Sequence, residues 1–333
     1  MPNFAETFDA LLLDLDGTVF TGHEPTPDAV DILDRVRART LWVTNNASRN
    51  AEQVADHLGS MGFAAQPADV VTSAQAAAAL LAQRLSAGAR VLVIGSAALA
   101  GEISAVGLTP VGSAAEAPVA VVQGYSADIG WTDLAEASLA VHAGALWVAT
   151  NTDLTLPSDR GGMLPGNGTL VAAVATATGV RPEVAGKPEP TLMRAALSRG
   201  EFRAPLVVGD RLNTDIAGAN GVGLPSLAVL TGVCDPAQLA VAIPAERPTF
   251  LTHDLRGLFT DIESARIGPQ PSWRAEHNAD EITLRCAGEP DDDGLGAVRV
   301  AVAALWEAAD DGRGTRLVAG DETAANALRR WSL

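Results

Sequence analysis

The sequence predicts an α/β protein with a doubly wound parallel sheet, an inserted α/β domain and a small α/β appendage at the carboxyl end. Apolar runs of three or four residues alternate with stretches of helical periodicity, which is typical of strands buried on both faces of a parallel sheet. Polar and acidic residues directly follow several of these runs, as they do at the ligand-binding edge of open α/β sheets. A second complete set of strand and helix patterns between residues 73 and 183 predicts the inserted domain.

The main sheet is predicted from two separate stretches, residues 1–72 and 184–262, which together form one domain. A stretch of helical periodicity follows each of the first two predicted strands. After the first strand, for example, Ala29, Ile32 and Val36 fall on one face of a helix that begins after Pro27. The predicted strands lie at 10–13, 41–43, 205–208 and 226–230, and further helices begin near residues 50 and 213.

The inserted domain, residues 73–183, has predicted strands at 90–94, 119–122 and 146–149 and helices at about 74–86 and 132–143. We place the appendage at residues 263–333. A linker-like Gly-Pro-Gln-Pro cluster at 268–271 lies near its start and precedes its predicted strands and helices. The appendage has the predicted order strand, helix, strand, helix, compatible with a remnant of an acetyltransferase-like fold. It is too short for an acyl-CoA site and has no Gly-rich pyrophosphate loop. Because so small a piece has little stability alone, we expect it to pack on the main body.

Composition and charge narrow the function classes. The chain has 333 residues and a formal net charge of −17, and a surface of that sign repels phosphate backbones and anionic lipids. We therefore expect neither nucleic-acid binding nor membrane insertion, and no apolar run reaches the length of a membrane span. With two cysteines and no basic segment at its start, the chain is expected in a reducing cytoplasm. Lys187 is the sole lysine among 23 basic residues.

The first motif with chemistry is Asp14-Leu15-Asp16-Gly17-Thr18, at the carboxyl end of a predicted apolar strand. Two carboxylates held two residues apart repel each other unless a cation lies between them. Mg²⁺ suits this arrangement, because it prefers hard oxygen ligands and binds through one or two carboxylates. Gly17 permits a tight turn, and Thr18 can donate to a phosphate oxygen or to the loop. The alternative is an Asp-rich turn that caps the next helix.

Three further motifs follow predicted strands or open helices. Thr44-Asn45-Asn46 combines a hydroxyl, amides and a helix start, which together favour an anion site, although such residues also cap helices without a ligand. Lys187 precedes a helix in Gly-Lys-Pro-Glu-Pro, a sequence that also occurs in surface turns. Asp210 ends a predicted strand, and Asp215 follows in the first turn of a helix. Because carboxyl ends of parallel strands share one sheet edge, we expect all four motifs to converge.

These four motifs, in this order, resemble those of the haloacid dehalogenase superfamily of aspartyl-phosphate phosphohydrolases. The large insertion before Lys187 contains Ala149–Asp153 and Pro165–Thr169 and resembles that of the subfamily with a C2-type cap. That subfamily includes the bacterial nucleotide phosphatase NagD, 4-nitrophenyl phosphatases, and phosphoglycolate and glycerol-phosphate phosphatases. The resemblance covers residues 8–262 and implies a Rossmann-like core, with residues 73–183 as a lid that closes over small substrates.

The resemblance also implies a role for each motif. Asp14 would be the nucleophile and Asp16 the proton donor and acceptor. Mg²⁺ would be held by Asp14, the backbone carbonyl of Asp16 and Asp210, with Asp215 in support. The phosphoryl oxygens would be bound by Thr44, Asn45, Asn46 and Lys187. These roles fit the general chemistry of phosphoryl transfer, which needs a positioned nucleophile and positive charge around the phosphoryl group.

The implied activity is hydrolysis of small phosphate monoesters, with glycerol 3-phosphate as the expected substrate. Phosphoglycolate, a nucleoside monophosphate and a sugar phosphate remain alternatives. The stretch Asp153–Pro157 lacks the histidine with which vitamin B6-phosphate phosphatases contact the ring, which disfavours an aromatic ester. A phosphomutase would keep the motifs but would have to exclude water. A phospho-accepting switch domain also uses Asp and Mg²⁺, but such modules lack so large an insertion. The expected partners are a small phosphorylated metabolite and, through the cap, a second copy of the chain.

Overall fold

The computed structural model describes residues 2–157, 161–278, 280–289, 291 and 293–333. Its contacts divide the chain into two compact units. The first unit combines Met1–Thr40 with Phe202–Leu333, and the second is Leu41–Glu201. The predicted division into a core (residues 1–72 and 184–262), an inserted cap (73–183) and an appendage (263–333) has boundaries that differ from those of these two units, and it stays a prediction. Among the described residues, no helix is both long enough and apolar enough to cross a membrane.

The strands and helices of the described residues are numbered in chain order. The strands are β1 (Ala10–Leu13), β2 (Phe20–Thr21), β3 (Glu24–Pro25), β4 (Arg39–Thr44), β5 (Val70–Thr72), β6 (Arg90–Ile94), β7 (Thr109–Val111), β8 (Ala120–Gln123), β9 (Leu146–Ala149), β10 (Thr155–Pro157), β11 (Met163–Pro165), β12 (Glu183–Val184), β13 (Pro205–Gly209), β14 (Ser226–Val229), β15 (Phe250–Thr252), β16 (Trp273–His277), β17 (Glu281–Cys286) and β18 (Arg316–Ala319). The helices are α1 (Phe4–Thr7), α2 (Ala29–Arg35), α3 (Ala51–Ser60), α4 (Ser73–Arg84), α5 (Ala97–Ala105), α6 (Trp131–His142), α7 (Asn167–Thr178), α8 (Pro190–Leu197), α9 (Ala217–Gly221), α10 (Pro236–Ala240), α11 (Ile262–Ala265), α12 (Gly296–Asp310) and α13 (Glu322–Trp331).

The first unit is built on parallel strands in the order β15-β14-β13-β1. Strand β1 is buried along its whole length, which explains its uninterrupted apolar sequence. Leu11 pairs with Leu206 of β13, so both strands end at the same edge of the sheet. Asp14 and Asp210 are the residues that immediately follow these two strands, and the fold thus brings two of the predicted motifs to one edge.

The appendage belongs to this first unit and adds a small sheet with the order β16-β17-β18. Helix α12 joins it to the rest of the unit, because Val298 and Val302 are buried in one apolar cluster with Ala228, Leu239 and Leu251. The expectation that the appendage packs on the main body is therefore confirmed. Its order differs from the predicted one by an additional first strand, β16, which pairs antiparallel with β17 and buries Trp273.

The second unit contains a five-stranded parallel sheet in the order β12-β9-β8-β6-β7. Helices α6 and α7 pack on it through an apolar cluster that includes Trp147, Val171 and Val174. The same unit holds the end of β4, which pairs in parallel with β5. The predicted strands at 90–94 and 146–149 are found at those positions, and the strand predicted at 119–122 begins one residue later.

Candidate active site

Three aspartates meet at the carboxyl edge of the sheet in the first unit. Asp14 follows β1, where its backbone N–H donates to the Val208 carbonyl at 2.9 Å. Asp210 follows β13, and Asp215 lies in the short helical turn Leu212–Ile216 directly after it. Asp210 and Asp215 are almost completely buried, whereas Asp14 is half-buried. The sheet thus carries two of these carboxylates on strand ends and the third on the following turn.

These three aspartates form a candidate metal centre. Each of Asp14, Asp210 and Asp215 offers a carboxylate oxygen, and the three oxygens lie within 4.8 Å of one another. Like charges at this spacing in a buried place repel strongly, and a divalent cation between them offsets the repulsion. An all-oxygen set of carboxylates is the donor set that Mg²⁺ prefers. The residues therefore fit a magnesium ion, with Asp215 beside Asp14 and Asp210, the two aspartates whose carboxylates the family resemblance implies as ligands.

Two glycines give Asp210 its place. A side chain on Gly17 or on Gly232 would collide with the Asp210 carboxylate, so both backbones approach it more closely than any other residue allows. Gly17 also has a positive φ of 87°, as the tight turn after Asp16 requires. The hydroxyl of Thr18 donates to Asp210 at 3.4 Å. Asp210 is thus fixed between two segments of backbone.

The loop Thr231–Cys234, which follows β14, was missed by the sequence reasoning. The backbone N–H of Val233 donates to the Asp210 carboxylate at 2.7 Å, and that of Cys234 donates to the Asp210 carbonyl at 2.8 Å. The Thr231 hydroxyl donates to the Gly17 carbonyl at 2.6 Å. The available signal was the position of a Thr-Gly pair just after a predicted strand of the same sheet.

Cys234 lies in this loop but has no nucleophilic role. Burial, together with the nearby carboxylates of Asp210 and Asp235, raises the pKa of its thiol to about 12. The thiol is therefore protonated at neutral pH, when only a thiolate would attack a substrate. Cys234 is therefore a plain buried thiol.

Asp16 differs from Asp14 in its surroundings. It is exposed, and its carboxylate is not one of the three in the candidate metal centre. The turn that carries it is closed by the Gly17 N–H, which donates to the Phe20 carbonyl at 2.7 Å. An exposed carboxylate two residues from a clustered one is suited to exchange protons with substrate and water.

In the second unit, Lys187 and Thr44 lie at the end of β4. Lys187 is 2% exposed, and its ammonium group donates to the Val43 carbonyl at 3.0 Å. The Thr44 hydroxyl accepts from the Asn46 N–H at 3.1 Å and still carries a proton that it can donate. The Asn45 amide pairs with both the N–H and the carbonyl of Lys187, at 2.8 and 3.1 Å. The second and third predicted motifs are therefore in direct contact.

Asn46 has a different local role. Its side-chain oxygen accepts from the N–H of Ser48 at 2.7 Å and from the Ser48 hydroxyl at 2.8 Å. This asparagine thus shapes the turn that leads to α3, which Asn50 caps. The predicted role of Asn46 in phosphate binding stays a prediction.

Comparison with known proteins gives the same family from two segments of the chain. A model described as haloacid dehalogenase-like hydrolase matches residues 11–109, and one described as HAD-hydrolase-like matches residues 184–258. A third model, the GCN5-related N-acetyltransferase-like domain, matches residues 270–333, in line with the acetyltransferase-like order expected of the appendage.

Whole-chain relatives extend these matches. The chain is 55% identical to a D-glycerol 3-phosphate phosphatase of Mycobacterium tuberculosis, over 100% of this chain and 96% of the relative. It is similar to a crystal structure of a glycerol phosphate phosphatase from Mycobacterium tuberculosis in complex with magnesium, with a TM-score of 0.96, 56% identity and coverage of 100% and 99%. A 4-nitrophenylphosphatase from Thermotoga maritima is 28% identical with a TM-score of 0.71, over 77% of this chain and 98% of the other. The chain belongs to the haloacid dehalogenase-like hydrolase family.

Proposed function

We propose that this protein is a Mg²⁺-dependent phosphatase that hydrolyses glycerol 3-phosphate through an aspartyl-phosphate intermediate on Asp14. The observation that carries the proposal is the cluster of Asp14, Asp210 and Asp215, whose three carboxylates fit one magnesium ion. The substrate is supported by the 55% identity, over the whole chain, to a D-glycerol 3-phosphate phosphatase. The relative whose structure was solved with magnesium supports the choice of metal.

In the proposed reaction, Asp14 and Asp16 divide the chemistry. A carboxylate oxygen of Asp14 attacks phosphorus in line, and the bond from phosphorus to the glycerol oxygen breaks. Asp16 gives its proton to the departing alkoxide, so glycerol leaves neutral. Water then attacks the phosphorus of the aspartyl-phosphate, Asp16 takes a proton from that water, and Asp14 is released with inorganic phosphate. The half-buried position of Asp14 and the exposure of Asp16 support this division.

The remaining residues bind and balance charge. Mg²⁺, when bound, offsets the negative charge of the phosphoryl oxygens, and Asp14, Asp210 and the carbonyl of Asp16 would hold it with the support of Asp215. Thr44 and Lys187 are proposed to bind the phosphoryl oxygens through a hydroxyl and an ammonium group. Residues 73–183 are proposed to act as the lid that limits the substrate to small esters. A cytoplasmic location and a homodimer formed through this cap also remain proposals.

A substrate panel tests the proposal. Purified protein is assayed with both enantiomers of glycerol 3-phosphate, phosphoglycolate, a nucleoside monophosphate and a sugar phosphate, with Mg²⁺ and with EDTA. We expect the highest kcat/KM for a glycerol 3-phosphate and its loss in EDTA, with recovery when Mg²⁺ is returned. Asp14→Asn serves as the background control for contaminating phosphatases. Equal turnover in EDTA would contradict the metal dependence, and a higher kcat/KM for another ester would reassign the substrate.

A further inference from the structure

The segment Gly166–Thr169 fixes the backbone of a neighbouring loop, residues 151–154. The N–H groups of Gly166 and Gly168 donate to the carbonyls of Leu154 and Asp153 at 2.8 and 2.9 Å. The Asn167 amide and the Thr169 hydroxyl donate to the carbonyls of Asn151 and Leu154, both at 2.7 Å. A side chain on either glycine would collide with the carbonyls of this loop. The Pro-Gly-Asn-Gly-Thr motif therefore serves to hold the 151–154 loop in one conformation.

The 151–154 loop in turn holds Asn45. The Asn151 amide donates to the Asn45 carbonyl at 2.7 Å, and the Asn45 amide lies 3.3 and 3.4 Å from the two carboxylate oxygens of Asp153. The Ser73 hydroxyl also donates to the Asn45 carbonyl, at 2.6 Å. Both the backbone and the side chain of Asn45 are thus bound, which leaves its amide in one orientation.

Asn45 in turn holds the backbone of Lys187 by hydrogen bonds. Its side-chain oxygen accepts from the Lys187 N–H at 2.8 Å, while its NH₂ group donates to the Lys187 carbonyl at 3.1 Å. This close pairing needs Gly186, since a side chain there would collide with the Asn45 oxygen. With the ammonium group bound to the Val43 carbonyl at the other end, both ends of this long side chain are fixed.

We propose that Asn151 and Asp153 are positioning residues for Lys187 and that they act through Asn45. The inference rests on the proposed function, in which Lys187 neutralises the phosphoryl group. A lysine side chain has large rotamer freedom, and a misplacement of about 1 Å can cost on the order of a hundredfold in rate. The side chain of Asn45 is then used for the Lys187 peptide rather than for the phosphate.

A double-mutant cycle tests this inference in the full-length enzyme. The variants are Asn151→Ala, Lys187→Ala and the combination of both, with Thr152→Ala as the matched control because its exposed side chain is not part of the network. The measurements are kcat and KM for glycerol 3-phosphate and the Kd of inorganic phosphate. The Kd can also be measured for variants that have no turnover. Thermal melting shows whether each variant is folded.

We expect Asn151→Ala to lower kcat about tenfold with a smaller change in KM, because a positioned charge counts most in the transition state. In the Lys187→Ala background the same substitution should change both the residual kcat and the Kd of phosphate less than about twofold, since coupled residues are not additive. If the fold-changes of the two single variants multiply in the double variant, the inference is overturned. It is also overturned if Asn151→Ala is folded and as active as Thr152→Ala. Full activity of Lys187→Ala would instead overturn the proposed role of Lys187 itself.

Asp153 provides the rescue arm of the experiment. Asp153→Ala removes the acceptors that face the Asn45 amide, whereas Asp153→Asn keeps one oxygen there. We expect the alanine variant to lose kcat about as Asn151→Ala does, and the asparagine variant to recover most of it. Equal losses in both variants would overturn the assignment of Asp153 as a hydrogen-bond acceptor for Asn45.

Discussion

At the scale of single residues, Asp14 combines two roles, as one of three clustered carboxylates and as the proposed nucleophile. We predict that Asp14→Asn lowers kcat for glycerol 3-phosphate more than a hundredfold, because an amide oxygen is a poor nucleophile. Without Mg²⁺ its Tm should equal or exceed that of the wild type, since one of three mutually repelling charges is gone. Added Mg²⁺ should raise the Tm less than in the wild type.

Phosphate-release assays and melting curves at several Mg²⁺ concentrations check this prediction. Asp16→Asn is the companion variant, because its carboxylate lies outside the three-carboxylate cluster and its Tm should keep the wild-type response to Mg²⁺. Residual activity of Asp14→Asn above about a hundredth of wild type would move the nucleophile elsewhere.

Lys187 allows a test in which charge is kept and shape is changed. Among the lysine and arginine residues of this chain, all except Lys187 are arginines. Lys187 is 2% exposed, and its ammonium group lies 3.0 Å from the Val43 carbonyl. A guanidinium group is broad and planar, whereas an ammonium group is a compact point charge. We predict that Lys187→Arg loses at least about tenfold in kcat/KM, or about 1.4 kcal/mol of transition-state stabilisation.

Lys187→Ala should lose more activity than Lys187→Arg, and steady-state kinetics on glycerol 3-phosphate with both variants decide the matter. Full activity of the arginine variant would mean that Lys187 is a structural residue of its turn. Circular dichroism ensures that only folded protein is compared.

At the scale of helices and strands, the ends of buried strands were predictable and their surroundings were not. Four apolar residues followed by acids locate both β1 and Asp14, because a strand buried on both faces leaves few other sequences possible. The loop Thr231–Cys234 escaped prediction, since it supports Asp210 with backbone N–H groups that every residue type provides. Strand β16 escaped although Trp273 and Ala275 alternate with Arg274 and Glu276, because this pattern spans only five residues directly after the Gly-Pro-Gln-Pro cluster.

Helix α12 is anchored to strand β15 by a buried arginine that sequence reasoning also missed. Arg299 is 1% exposed, donates to the Leu251 carbonyl at 2.7 and 3.2 Å, and pairs with Asp293. Burial of the Asp293 carboxyl raises its pKa, but the hydrogen bond and charge of Arg299 outweigh this and leave the pKa below the ordinary 3.8. The sequence shows only an arginine among alanines and valines, a pattern that does not distinguish an exposed helix position from this one.

The lowered pKa of Asp293 gives a pH dependence with a definite sign. A carboxyl whose folded pKa is depressed stabilises the fold above its unfolded pKa, and the contribution is lost as pH falls through the folded value. We predict that Asp293→Asn lowers the free energy of unfolding at pH 7 by about 1–3 kcal/mol. Below about pH 4 the gap between variant and wild type should narrow. Urea unfolding at pH 7, 5 and 3.5 measures it, and a gap that widens in acid would contradict the ion pair.

At the scale of the whole molecule, the appendage shares an apolar core with the rest of the first unit, yet none of its described residues belongs to the three-carboxylate cluster. Leu295, Val298 and Val302 are fully buried against Ala228 and Leu251, so their removal would expose apolar surface of the catalytic unit. The appendage therefore contributes to stability, and we expect its contribution to catalysis to be small. These two effects are separable by experiment.

We predict that Leu295→Ala in the full-length chain lowers the free energy of unfolding by about 2–5 kcal/mol, as expected for a buried leucine, and leaves kcat within about twofold of wild type. Deletion from about residue 268 removes every α12 side chain from the apolar cluster that contains Ala228 and Leu251. It should therefore lower the Tm further and favour aggregation. The soluble, folded fraction should still hydrolyse glycerol 3-phosphate, because Asp14, Asp16, Lys187 and Asp210 all remain. Activity is therefore normalised to the fraction folded by circular dichroism. A folded deletion variant without turnover, together with a Leu295→Ala enzyme of reduced kcat, would show that the appendage takes part in the chemistry rather than in the stability of the unit that carries it.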